Sequence, residues 1–153
     1  MAPLEGEYEP STWDWVREQV EEYEASGGTR ANTLRDSGLP IIIVTTRGNK
    51  SGTIRKTALM KVEHDGEFAL VGSMGGAPKN PAWYHNLRAH PDVVIRDRNR
   101  VFWAHAAEVT GDERDRVWAV VTADSPWYAQ YQTRTTRTIP LIRLRETGPY
   151  TGV

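Results

Sequence analysis

The stretch from Ile41 to Gly72 reads IIIVTTRGNKSGTIRKTALMKVEHDGEFALVG. The β-branched run Ile41–Thr46, the alternating segment Ile54–Glu63 and the segment Glu67–Gly72 predict three successive strands. His64-Asp65-Gly66 supplies the Asp-Gly turn of a tight hairpin, and connections this short make the pairing antiparallel. The longest uninterrupted aliphatic run, Leu39–Val44, falls far short of the roughly 20 residues needed to cross a bilayer. It reads as a buried strand.

On the N-terminal side, Ser11 can cap a helix with Asp14 three residues on, an approximate capping box. Trp13, Val16, Val20 and Tyr23 then share one face, and Gly27-Gly28 ends the helix. This helix could lie on a membrane surface or cover a ligand pocket, although an apolar face packed on the core is the commoner explanation. Thr29–Gly38 shows no clean period and reads as a connector.

On the C-terminal side, a helix is predicted with Asn80 as cap and Pro81 at its first position, running through Trp83, Tyr84 and Leu87 and ending before Pro91. Val93–Arg96 and Val101–Val109 form a second hairpin around Asp97-Arg98-Asn99-Arg100. Thr110 caps a helix containing Val117, Trp118, Val120 and Val121; Pro126 breaks it and leaves a short aromatic helix. Thr138–Leu144 is the last strand. Strands outnumber helices, without the strict strand–helix alternation of a parallel sheet. The fold class is therefore α+β, mainly antiparallel β: a small barrel of about six strands with helices packed outside, and a flat ligand in an outer groove or at a partner interface. The divisions are 1–38 for the amphipathic helix and connector, 39–146 for the barrel domain and 147–153 for a frayed tail.

The chain has 153 residues, 39% of them hydrophobic and 25% charged, enough to bury one core. A net charge of -1 gives no global field for nucleic acid or anionic lipid, so an anion site has to be local. The absence of cysteine excludes thiolate metal sites, Fe–S clusters and cysteine nucleophiles, and redox chemistry would have to come from a bound cofactor. The acidic start, without a basic leader or apolar core, predicts a cytoplasmic protein. His85 and His90 are off the one-face spacing of a helical metal pair, His64 and His105 lie in a turn and a strand, and no metal is assigned. No Gly-x-Ser-x-Gly elbow is present.

Three constellations could carry chemistry. In the first, Arg47 to Lys56, glycines let backbone N–H groups approach an oxyanion while Lys50 and Arg55 supply charge-assisted hydrogen bonds. A solvated basic hairpin loop explains the same residues about as well. The second, Gly72 to Tyr84, is a strand end feeding a glycine loop and a capped helix, where unpaired N–H groups attract anions. Chain turning accounts for its glycines and Pro81 but not for Lys79 and Asn80 beside Trp83, an aromatic that could wall a ring system. In the third, Tyr128 and Tyr131 share a helical face, suited either to polarising a substrate or to core packing with hydroxyls at the rim.

Together, Lys50-Ser51-Gly52 with Arg55, the run Gly75-Gly76-Ala77-Pro78-Lys79-Asn80-Pro81-Ala82-Trp83-Tyr84-His85-Asn86-Leu87, Thr110-Gly111-Asp112-Glu113-Arg114, and Tyr128-Ala129-Gln130-Tyr131-Gln132 with Arg137-Thr138-Ile139-Pro140-Leu141 resemble the deazaflavin-dependent nitroreductase family. The resemblance covers most of the chain after Gly38. It implies a split β-barrel (FMN-binding-like) fold and the cofactor F420, a deazaflavin with a phosphate and an oligoglutamate tail. It further implies hydride transfer from the reduced cofactor to a small-molecule acceptor: a quinone, nitroaromatic or activated alkene. The pocket-edge residues Met74 and Ser125 favour a quinone.

The same resemblance places Asn49, Lys50, Ser51, Arg55, Lys56, Gly72, Ser73, Met74, Lys79, Trp83, Tyr84, Asn86 and Tyr128 around the cofactor. Ser73, Tyr128 and Tyr131 would orient or protonate the acceptor. An FMN enzyme of the related split-barrel type and a non-catalytic deazaflavin carrier are the alternatives.

Overall fold

The computed structural model describes residues 4–34 and 37–151. Its elements, in chain order, are α1 (Asp14–Ala25), β1 (Ile41–Arg47), β2 (Ile54–Met60), β3 (Val62–His64), β4 (Glu67–Val71), a single 3-10 turn (Met74–Gly76), α2 (Ala82–Ala89), β5 (Asp92–Asp97), β6 (Arg100–Glu108), α3 (Gly111–Asp124), α4 (Trp127–Thr133) and β7 (Leu141–Pro149). The strands form one antiparallel sheet in the order β2-β1-β5-β6-β7-β4-β3.

That order closes the sheet. β2 and β3 stand at opposite ends of it, yet only Lys61 separates them in the chain, so the two ends meet at Lys61. The segment predicted as one strand, Ile54–Glu63, is a strand that changes partner. Its first part pairs with β1 and its last with β4, and the Lys61 N–H donates to Pro40 O at 3.0 Å at the exchange point. The Lys61 ammonium, 3.0 Å from both Glu63 and Asp97, ties this seam to the β5–β6 hairpin. The Asp-Gly turn joins β3 to β4 as predicted, with positive φ at both Asp65 and Gly66, as a type I′ turn requires.

Side chains on the inner face fill the barrel. Ile42, Val44, Phe68, Leu70, Val93, Ile95, Phe102, Ala104, Ile142 and Leu144 pack in one cluster, into which α2 inserts Trp83, Tyr84 and Leu87. The outer face is covered twice. Ile41 and Ile43 meet Val20 and Tyr23 of α1, whereas Val62, Ala69 and Leu141 meet Val117 and Val121 of α3 and Tyr128 of α4. The uninterrupted Ile41–Val44 run is thus explained by burial on both faces, Ile42 and Val44 inward and Ile41 and Ile43 under α1. α1 packs on the barrel, and among the described residues no helix is long and apolar enough to cross a membrane.

Four local expectations are corrected. The N-cap of α1 is Trp13, and the Ser11 hydroxyl instead accepts from the Trp13 N–H at 3.2 Å. The N-cap of α2 is Pro81, because the Asn80 side chain is engaged elsewhere. Thr110, by contrast, is the N-cap of α3 as expected, with no side-chain cap bond. The last strand begins at Leu141 rather than Thr138, since Pro140 has no N–H to give and its carbonyl is taken by Gly72 N. It runs to Pro149, past the expected start of a frayed tail, because β6 continues to pair with it through Phe102 and Trp103. Gly152 and Val153 lie outside the described residues.

Tyr23 joins α1 to the barrel. Its side chain is fully buried, and its hydroxyl accepts from the Arg98 N–H at 2.6 Å at the tip of the β5–β6 hairpin. Tyr23→Phe leaves that N–H without its partner and is expected to cost about 1–2 kcal/mol, read in urea unfolding as a lower midpoint at unchanged slope.

Candidate active site

The β1–β2 loop and α2 meet at one end of the barrel. Asn86 of α2, buried, joins them: its Oδ1 accepts from the Asn49 N–H at 2.9 Å. Between loop and helix lies a cavity of about 600 Å³ lined by Glu9, Gly48, Asn49, Lys50, Ser51, Arg55, Ala82, His85 and Asn86. A second cavity of about 320 Å³ adjoins it, sharing Arg55, Ala82 and Asn86 and adding Trp13, Lys56, Met74 and Trp83. Together they form one groove that is cationic at one end and walled by aromatic and thioether side chains at the other.

The cations of the groove differ in their commitments. Lys50 is exposed and makes no ion pair or hydrogen bond among the described residues. Arg55 Nη1 lies 2.8 Å from Glu9 Oε2, and Lys56 Nζ donates to both Glu24 oxygens at 2.7 and 2.9 Å. Arg47 donates to the carbonyls of Gly52 and Glu5, bracing the loop. The Glu9 carboxyl, receiving the Thr53 hydroxyl and facing Arg55, titrates below the usual carboxylate range.

The glycine loop after β4 is held by Arg137. Its Nε donates to Ala77 O at 2.9 Å, Nη1 to Gly72 O at 3.0 Å and to Asn80 Oδ1 at 2.8 Å, and Nη2 to Ser73 O at 2.8 Å. Gln132 of α4 fixes Arg137 in turn: its Nε2 donates to Arg137 O at 2.8 Å and its Oε1 accepts from Ile139 N at 3.0 Å. So restrained, the loop places Met74 in the left-handed region at φ 43°, a conformation that costs a non-glycine residue about 1–2 kcal/mol. Gly76, at φ 84°, lies so close to α4 that a Cβ would stand 2.7 Å from Tyr131 O. The Met74 side chain is 55% exposed at the groove mouth, facing the cavity that Trp13, 64% exposed, also lines.

The expected site residues therefore divide. Asn49, Lys50, Ser51, Arg55, Lys56, Met74, Trp83 and Asn86 line the groove. Trp83 does so from a nearly buried position in the core, not as an exposed wall. Ser73 precedes Met74 and its hydroxyl has no partner among the described residues, whereas the Gly72 carbonyl is taken by Arg137. Tyr84 packs in the barrel core and donates its hydroxyl to Glu108 Oε1 at 2.5 Å, and Lys79 is an exposed loop residue; neither lines the groove. Ser125, expected at a pocket edge, is buried beneath α4 with its hydroxyl on Asp124.

Tyr128 and Tyr131 do not reach the groove either. Tyr128 is buried among Val62, Val117, Val121 and Leu141, and that burial pushes its phenol up to about 12. Tyr131 packs edge-on against Tyr128, with the Arg134 guanidinium over its ring. The shared helical face proposed for the two tyrosines exists, but it turns toward the core. Arg137 and Gln132 were the residues missed. Both stand in the quoted motifs, but nothing in the sequence separates Arg137 from Arg134 until the loop carbonyls are in place.

Two outcomes follow from this geometry. Arg137→Lys keeps the charge but cannot span four acceptors, and stranding the loop carbonyls is expected to cost about 1–3 kcal/mol of stability in chemical denaturation. Because the folded state favours the neutral Tyr128 phenol, its contribution is complete below the ordinary value of 10.0 and is lost as pH rises toward about 12. Ultraviolet titration should show a tyrosine ionisation near the alkaline unfolding transition that is lost in Tyr128→Phe.

Comparison with known proteins agrees with this architecture. The family model described as F420H(2)-dependent quinone reductase matches residues 15–146. The F420H(2)-dependent quinone reductase Rv1261c of Mycobacterium tuberculosis is 36% identical over 108 residues, 69% of this chain and 72% of that protein. A solved F420-H2 dependent reductase (FDR-A) is 43% identical and superposes with a TM-score of 0.64 over 69% of this chain and 94% of that one. A structure described as a domain-swapped dimer is 42% identical, with a TM-score of 0.67 over 88% of this chain and 100% of that one. A closed antiparallel barrel, a groove spanning two motifs, and a family match over most of the chain converge: this protein belongs to the F420H(2)-dependent quinone reductase family.

Proposed function

We propose that the groove binds coenzyme F420, with the anionic tail at Lys50, Ser51, Asn49 and Arg55 and the ring system bordered by Met74, Trp83 and Asn86, and that the protein reduces a quinone. The observation that carries this reading is the continuity of the two cavities through Arg55, Ala82 and Asn86, which puts a cationic end and a ring-sized apolar end on one path. The donor set suits the group. Lys50 has no carboxylate partner among the described residues, and with Arg55 and the Ser51 hydroxyl, which stands 2.6 Å from Thr53 Oγ1, it matches phosphate and carboxylate acceptors.

Reduced F420 supplies a hydride when bound, so the chain has no need of a nucleophile of its own. Its contribution is placement. Asn86 and Arg137 fix the two loops that form the groove, which limits the orientations open to the ligands. Trp83 and Trp13 shield the apolar end from water. The Ser73 hydroxyl, next to the exposed Met74, is assigned to orienting the acceptor oxygen, and solvent at the open mouth provides the proton that accompanies the hydride. Tyr128 and Tyr131 are assigned a supporting role behind the glycine loop. A quinone fits the exposed aromatic and thioether mouth at Trp13 and Met74.

Anaerobic titration with F420 followed by single turnover with menadione tests the reading: tight FMN binding without F420 affinity would sink it, and F420 binding without turnover of any acceptor would make the protein a carrier. Lys50→Ala and Arg55→Ala are each expected to raise the F420 dissociation constant roughly five- to thirtyfold, about 1–2 kcal/mol for a partly exposed charged hydrogen bond, with little change in the thermal midpoint. Unchanged affinity in both would return the loop to a role in solubility.

A further inference from the structure

The anion clamp is already occupied by part of its own chain. Residues 7–9 bridge the first residue of β2 in parallel: Ile54 N donates to Glu7 O at 2.8 Å and Glu9 N to Ile54 O at 2.9 Å, while Arg47 Nη2 donates to Glu5 O at 2.7 Å. This strap carries Glu5, Glu7 and Glu9, and its backbone bonds deliver the last of these to the clamp. Glu9 Oε1 accepts from the Thr53 hydroxyl at 2.8 Å, Oε2 lies 2.8 Å from Arg55 Nη1, and the side chain lines the same cavity as Lys50 and Ser51.

We infer that Glu9 is a specificity-determining residue that competes with the ligand: its carboxylate stands in the place of a tail carboxylate or phosphate, and an acidic tail binds by displacing it from Arg55. This rests on the F420 reading above. The chemistry of the displaced and the incoming group is the same. Both partners of the Glu9–Arg55 pair are partly exposed, at 48% and 33%, so the pair is held weakly and exchange is feasible. A ligand with one negative charge merely replaces Glu9. A tail with several can hold Lys50 at the same time, where no internal carboxylate competes among the described residues, so the second contact is made at high effective concentration. Glu9 therefore selects for ligands carrying more than one anionic group, and leaves a tail-less ring compound unaffected.

The test is calorimetric or fluorescence titration of wild type and Glu9→Gln with F420 bearing its oligoglutamate tail and with the deazaflavin fragment lacking phosphate and tail. Glu9→Gln should bind F420 about two- to fivefold more tightly, by the scale of an exposed ion pair, and bind the fragment with unchanged affinity. The gain should shrink as salt is raised. Unchanged or weaker F420 binding by Glu9→Gln, or the same gain for both ligands, overturns the competition while leaving the cofactor assignment intact. Failure of the wild type to bind F420 at all would instead remove the function on which it rests.

Discussion

A single strand serving both ends of the sheet is the constraint from which the rest of this molecule follows. Because Ile54–His64 pairs first with β1 and then with β4, the sheet closes, its inner face becomes the main core, and every helix has to lie outside or plug an end. The plug is α2. It has apolar residues on the side that enters the barrel and Asn86 facing the β1–β2 loop, so the helix that seals the core also fixes one wall of the groove.

The site is built by placement rather than by a constellation of perturbed titrating groups. Two cations show the division of labour. Arg137 spends its donors on backbone carbonyls and Asn80 to hold a loop with three successive positive-φ residues, while Lys50 makes no internal contact among the described residues and stays available to a ligand. A lysine at position 137 would lack the planar fork that reaches four acceptors.

What could be read from the residues and what could not divide along a physical line. The runs Ile41–Thr46 and Glu67–Gly72, the Asp-Gly turn and the helix after Pro81 were legible because local periodicity and turn chemistry determine them. The partner exchange at Lys61 was not, since both halves of the strand share one alternation and only long-range pairing tells them apart. The groove residues Lys50, Ser51, Arg55, Met74, Trp83 and Asn86 were legible as two motifs, yet their meeting on α2 is a tertiary fact. The structure places Tyr84 and Tyr128 in the packed core for one reason. A tyrosine with an aromatic neighbour suits a ligand wall and a core equally, and here the barrel and α3 claim them.

The partner exchange also decides where this chain can change length. Side-chain direction alternates without a break through Leu59, Met60, Lys61 and Val62, with Leu59 packed inward and Met60 and Val62 packed under α3 and α4. One residue added or deleted at Lys61 would turn Val62 inward and uncouple the outer helices from the seam. The loops that form the groove lie outside the paired strands and tolerate changes of length, but the hinge of the barrel does not, so such changes are confined to the rim of the groove and kept away from the join that makes the groove exist.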